Sequence, residues 1–257
     1  MADLATVAAV KAYLAITTSG QDSLIAALIA RESRSVEQFC ARRFPAVTTT
    51  LRRLNGTGTA MLTLPEAPIL SISFLSINGT EIPESPDGIV AGYTHDDTTI
   101  FLTGGRRFPY TRQSVVCTWE AGYADSETAY IPAGNTPTLT PTTGGRAVTN
   151  LTVTNVASAA TLTEVANAPV AGQYTFAAGT YTFNSSNSGV RVTMAYQYVP
   201  GPVEQACVEM VGIDLKQRDN LGINSKSLAD ESITYSDRGM SASVKDMLWP
   251  YRRMEPV

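Results

Sequence analysis

Charge is scarce in this 257-residue chain: Asp, Glu, Lys and Arg together make up 16% of it, against roughly 25% in ordinary globular proteins. The formal net charge is −4, which excludes bulk electrostatic attraction to nucleic acid or to an anionic membrane. Histidine occurs once, at His95, and cysteine at three scattered positions, Cys40, Cys117 and Cys207. An odd, dispersed set excludes a disulfide framework and a clustered thiolate metal site, and fits buried free thiols of a reducing compartment. Long apolar runs are missing too. Leu24 to Ala30 is far short of the ~18 residues that mark a membrane span. The N-terminal MADLATVAAVKAYLAI has no basic leader, long apolar core or cleavage site, so no signal peptide is expected. These absences predict a soluble intracellular protein.

Catalytic signatures are equally thin. G-x-S-x-G, the Walker A pattern and G-x-G-x-x-G are all lacking, and adjacency of His95 to Asp96 and Asp97 does not make a triad. His95 is read as part of a polar turn. Asp96-Asp97 lacks the surrounding oxygen ligands of a Ca²⁺ loop. Gly104-Gly105-Arg106-Arg107 opens no helix and reads as a turn between strands. Arginine pairs recur at 42–43, 52–53, 106–107 and 252–253 among distributed acidic residues, so solvated edges or intersubunit ion pairs are the default reading rather than a nucleic-acid face. No enzyme, cofactor or metal is expected.

What is present is a change of period along the chain. Thr6 is placed to cap a short helix through Leu14, and Asp22 to Ala41 carries Ile25, Leu28, Ile29, Val36, Phe39 and Cys40 at helical spacing. Arg31, Glu32, Arg34 and Glu37 then fall on a solvated face. From Val47 the period becomes two. VTTTLRRLNGTGTAMLTL reads as a hairpin turning at Asn55-Gly56 and Gly58. Leu70, Ile72 and Phe74 alternate with serines, Asn78-Gly79 makes a second turn, and short strands follow at 89–93, 99–103 and 114–120.

Residues 126–198 differ in character, with only Glu127, Arg146, Glu164 and Arg191 charged. Thr-, Gly- and Ala-rich alternating segments there predict strands, with TPTLTPTTGG as an exposed loop. Helical spacing returns after Pro202 through Val203, Cys207, Val211 and Leu215. Gly212 within it costs about 1 kcal/mol relative to Ala and predicts close helix packing. A polar loop over 220–227 and a last helix near Met240–Trp249, stopped by Pro250, complete the chain.

The order of these features resembles the head–tail connector (adaptor) family of tailed bacteriophages. The residues that carry the resemblance are VAAVKAYLAI, QDSLIAALIARESRSVEQFCARRF, LPEAPILSISFLSINGTEI, VVCTWEAGY, PVEQACVEMVGIDLKQRDNLG and ESITYSD with VKDMLWPYRRM. They span roughly residues 4–125 and 202–254. The resemblance implies an α+β fold, a connector-type helical bundle with a small antiparallel β unit over residues 1–125 and 200–257; the compositional break makes residues 126–199 an inserted all-β domain that departs from the compact family pattern. The resemblance also implies a virion protein, assembled in the host cytoplasm as a dodecameric ring beneath the portal protein. Such a ring extends the DNA channel, passes double-stranded DNA without specific binding and offers a docking surface to a tail or stopper protein.

The terminal MLWPYRRMEPV is the candidate docking element. Trp, Tyr and Arg are enriched at the energetic centres of interfaces. Pro250 is expected to send the chain outward, leaving Trp249 and Tyr251 as anchors and Arg252 and Arg253 as ion-pairing groups on the portal; the alternative is a last helix that packs Trp249 onto its own domain. The competing function is a carbohydrate- or receptor-binding module. Its platform would be Tyr174, Phe176, Tyr181, Phe183, Tyr196 and Tyr198, although alternation places one face of such strands in a core.

Overall fold

The structure is a computed structural model that describes residues 3–142, 144–217, 225–228, 231–234 and 240–253. Two compact units divide the chain, residues 1–41 with 200–252 and residues 42–199 with 253–257.

The first unit holds the helices. In α1, Val7–Leu14, Thr6 Oγ1 accepts from the Ala9 N–H at 3.1 Å, the expected cap. α2, Asp22–Cys40, buries Ile25, Ile29, Val36 and Cys40. α3 spans Gly201–Gln217 and α4 spans Ala242–Leu248. Lys11 Nζ meets Asp22 Oδ1 at 2.8 Å between α1 and α2, and Arg31 pairs with Asp214 between α2 and α3.

α2 is buried on more of its circumference than its apolar stripe predicts. Glu32 and Glu37, expected in solvent, are buried with Ser33, while Arg31 and Arg34 are exposed. Packing against two helices widens the covered face beyond one stripe. Burial pushes the Glu32 carboxyl above its usual range, against the opposing hydrogen bond from Arg31 Nε at 2.7 Å. Ser33 Oγ accepts from the Leu4 N–H at 3.0 Å and lies 3.7 Å from Cys207 Sγ. Gly212 is where α3 and α1 approach closely. A Cβ there would stand 3.3 Å from Leu14 Cδ2 and 3.5 Å from the Tyr13 ring.

The described residues of the second unit are strand and loop with one short 3₁₀ turn, Ser185–Asn187. Its strands begin with β1 (Val47–Leu54), β2 (Met61–Thr63), β3 (Ile69–Ile77), β4 (Thr80–Glu81), β5 (Tyr93–His95), β6 (Thr99–Leu102) and β7 (Val115–Ala121). They form a four-stranded sheet ordered β1-β7-β3-β4 and a three-stranded sheet ordered β2-β6-β5. Both sheets contribute to one core, built on Leu62, Leu75, Ile100, Phe108, Cys117 and Trp119. The expected β1–β2 hairpin does not exist, because β1 pairs with β7 and β2 with β6. The intervening 55–60 segment instead bonds to the 108–113 loop, Gly56 N to Thr111 O at 3.0 Å and Phe108 N to Thr59 O at 2.8 Å. Asn78-Gly79 does turn β3 into β4. Register shifts between Ile69 and Ser71 and between Ile72 and Phe74 change the parity of β3. Leu75, not Phe74, therefore reaches the core.

β8 (Ala124–Tyr130), β9 (Thr138–Leu139), β10 (Gly145–Asn155), β11 (Thr163–Glu164), β12 (Gln173–Ala177), β13 (Thr180–Phe183) and β14 (Arg191–Pro200) follow. They form two further sheets, β10-β14-β8 and β11-β12-β13-β9. β9 lies within the segment expected to be loop. These sheets close over a second core of Ile131, Val153, Tyr174, Tyr181, Phe183 and Met194, which shares no residue with the first. β15 (Ser225–Leu228) and β16 (Glu231–Thr234) pair antiparallel, so the expected polar loop gives way to a strand from Ser225. Residues 218–224 lie outside the described residues.

The expectation of a helical bundle with a small β unit is therefore corrected. Among the described residues, sixteen strands in five sheets stand against four α-helices, and the protein is predominantly β. The physical reason lies in element length. α1 and α4 are eight and seven residues, about two turns each. The period-two stretch from Val47 to Pro200 provides the larger share of buried apolar surface.

The two separate cores in the second unit are the basis for proposing residues 126–199 as an insertion with its own folding capacity. Replacing residues 128–199 by a short Gly/Ser linker is expected to leave a soluble protein with one cooperative thermal transition. Insoluble or molten product, read by circular dichroism and dye binding, would show that the first core needs the second.

Candidate docking site at the C-terminal turn

Ser241 opens the site: its Oγ accepts from the Val244 N–H at 3.2 Å and caps α4. Val244 and Leu248, one helical turn apart, are both fully buried and anchor the helix. The chain then tightens into a 3₁₀ turn, Trp249–Tyr251, with Pro250 near its start and the Arg252 N–H bonded to Trp249 O at 3.3 Å. The turn thus continues through Tyr251, and the extended backbone expected after Pro250 begins only at Arg252. Proline's fixed φ suits the first turn of a helix, where its missing N–H is not needed.

Trp249 is 65% exposed, so the indole is not part of its own unit's core. Its ring is nonetheless held. The Arg252 guanidinium lies 4.9 Å from the Trp249 ring centroid and 5.3 Å from that of Phe39, within cation–π range of both. Arg253 Nη1 is 3.6 Å from Glu66 Oε1, which also accepts from Arg52 Nη1 at 2.9 Å. Tyr251 is half-buried. Of the four residues expected at the portal, Trp249 is the one that projects a large, mostly exposed apolar side chain; both arginines already have partners within the chain. Residues 254–257 lie outside the described residues.

The remaining candidates separate cleanly. His95 sits on β5, with Nδ1 3.2 Å from Asp96 O. Asp96 Oδ1 accepts from the Thr98 and Thr99 N–H groups at 2.8 and 2.7 Å, and those bonds hold its carboxyl below the usual range. The Asp96 carboxylate thus forms the turn, and it also accepts from Thr98 Oγ1 at 3.2 Å. Among the described residues no cluster of three His, Cys, Asp or Glu is placed to hold a metal ion. Tyr174, Tyr181, Phe183 and Tyr196 are all buried, which removes the aromatic platform on which the carbohydrate-binding reading rested.

With the geometry in place, comparison with known families shows that residues 3–134 fit the family described as head completion protein. That span is just over half of the 257 residues and runs from the segment before α1 through β8. The chain belongs to the head completion protein family. No curated protein matches it. Membership makes the chain a component of the phage virion and places it with the head–tail class that the residue order resembles. The match stops short of α3, α4 and the Trp249 turn, so the docking residues stand on their geometry alone.

The cysteines give a test of the core. All three are buried and none is in a disulfide, and burial pushes the Cys117 and Cys207 thiols up from 9.0 to about 12. Native protein at about pH 8 is expected to leave a thiol reagent almost unreacted, while unfolded protein titrates all three. For a group raised in the folded state, the stabilising contribution is complete below the unfolded pKa. It is lost as pH rises from about 9 toward 12, by ~1.4 kcal/mol per pH unit for each thiol. Fast labelling of the native protein would contradict this burial.

Proposed function

We propose that the chain is a non-enzymatic structural protein of the virion that forms a homo-oligomeric ring, a dodecamer, beneath the portal. The ring extends the DNA channel and presents a surface to the tail or stopper protein. Membership of the head completion family supports a structural role in the phage head. The observation that carries the docking step is Trp249. A large indole that is 65% exposed, clamped by Arg252 at the end of a capped and anchored helix, is a preorganised anchor. An indole of this kind buries ~150–250 Å² when a partner covers it, and its fixed position reduces the ordering cost of association.

Low charge content and a net charge of −4 suit this role. Interface cores are depleted in charge, and a negative conduit does not hold DNA tightly. Arg252, exposed and stacked on the indole, steadies the anchor rather than supplying charge to the partner.

Deleting the whole segment from Met247 would remove the buried Leu248 and confound assembly with folding. Trp249→Ala is the cleaner change. It is expected to alter stability by no more than ~0.5 kcal/mol, as for other exposed positions. It should weaken binding to the portal by ~30-fold or more, the scale of a hot-spot aromatic. Native mass measurement with the portal reads both ring formation and affinity; unchanged affinity would remove Trp249 from the interface. His95→Ala is expected to leave particle assembly and infectivity at wild-type level. Intact but non-infectious particles would instead give His95 a chemical role.

A further inference from the structure

The structure sorts the arginine pairs, and the sorting singles out one loop. Arg42 lies 5.9 and 5.1 Å from the Phe44 and Tyr123 ring centroids, Arg52 and Arg253 share Glu66, and Arg252 covers two rings. In three of the four pairs at least one member is thereby occupied. Only Arg106-Arg107 has both members exposed and, among the described residues, neither in an ion pair nor against a ring. Arg112, five residues on, is in the same state. No acidic residue occurs from Thr98 through Trp119.

The loop that carries them is fastened down. Phe108 is fully buried between the exposed Arg107 and the half-buried Pro109. Phe108 N bonds to Thr59 O at 2.8 Å, Gly56 N to Thr111 O at 3.0 Å, and Gln113 N to Asn55 Oδ1 at 3.0 Å. Gly56 allows the approach: a Cβ there would fall 1.8 Å from Pro109 O. Arg106, Arg107 and Arg112 therefore stand on a braced support, with Tyr110 between them 89% exposed. On the adjoining 85–91 loop, the Asp87 carboxylate accepts from the Ile89 and Val90 N–H groups at 2.9 Å each rather than from any arginine.

We infer that the 104–113 loop is a contact site for the phosphate backbone of double-stranded DNA. Its exposed side chains are arginine, tyrosine, threonine and glutamine, all donors that commonly engage phosphate oxygens. An apolar centre of the kind a protein interface uses is absent from the loop itself. Three guanidinium groups neutralise about three phosphates, so binding is weak, independent of sequence and strongly salt-dependent. The net negative charge of the whole chain is no obstacle, since screening over ~8–10 Å makes the local sign decisive. The inference takes the nearness of DNA from the ring reading above, but its test needs neither ring nor portal, so the two fail separately.

The test is fluorescence anisotropy of the full-length protein with a labelled duplex, in a salt series from ~20 to ~200 mM. The expected slope of log K against log salt is about −2.7, from three neutralised phosphates. R106A/R107A/R112A is expected to keep the wild-type thermal midpoint and to lose at least ~10-fold in affinity at the lowest salt. Arg191→Ala, on β14, should bind as the wild type does. Absence of wild-type binding at low salt, or equal binding by the triple variant, overturns the proposal. A triple variant that blocks particle assembly while the wild type shows no DNA binding also overturns it, and assigns the loop to a protein partner.

Discussion

Strand β7 is the constraint on which the larger unit depends. It pairs with β1 along one edge and β3 along the other, and its inward residues Val115, Cys117, Trp119 and Ala121 are buried in strict alternation. A central strand of this kind has no free edge. Everything from residue 47 to 121 is arranged around it: β4 is turned off β3, and the second sheet lies across the same core. The bulge between Thr49 and Arg52 follows from that pairing. Leu51, at φ 45° and exposed, is ejected from the ladder while its N–H bonds to Thr118 Oγ1 at 2.9 Å. A one-residue offset there keeps both flanking stretches in register.

Electrostatics in this protein is a matter of placement rather than quantity. With few charges available, Arg31, Arg52 and Arg253 are committed to carboxylates and Arg42, Arg191 and Arg252 to aromatic faces. Glu66 receives two guanidinium groups on one oxygen, while its Oε2 and Arg253 Nε are buried without hydrogen-bond partners among the described residues. Such a pair is held by the surrounding structure more than it stabilises it, because desolvation offsets much of the attraction. The arginines left over are thereby distinguished from the rest. The same holds for aromatic residues. Tyr174, Tyr181, Phe183 and Tyr196 are spent on the second core, and Trp249 and Tyr110 stand outside any core.

Family membership rests on residues 3–134, whereas the turn at Trp249 lies well beyond them. The head–tail character of the chain and its candidate docking surface thus come from different parts of the molecule. A shared scaffold with variable attachments is a common division, because fold is maintained by core packing while partners are chosen by exposed side chains.

Local features were legible in the sequence. The Thr6 cap, the strand alternation of β7, the Asn78-Gly79 turn and the tight approach at Gly212 each depend on a few neighbouring residues or on one missing side chain. The amino-acid order alone settled them, as it did the break into a charge-poor β segment near residue 126. Tertiary structure decided what depends on distant partners. β1 paired with β7 rather than β2, because ladder partners are chosen by core packing across sixty residues and not by the nearest turn. Glu32 and Glu37 were buried because two helices cover α2. Arginine pairs that look alike in the sequence became ion-paired, ring-stacked or free according to what the fold brought within reach, since a guanidinium's role is set by its neighbours in space.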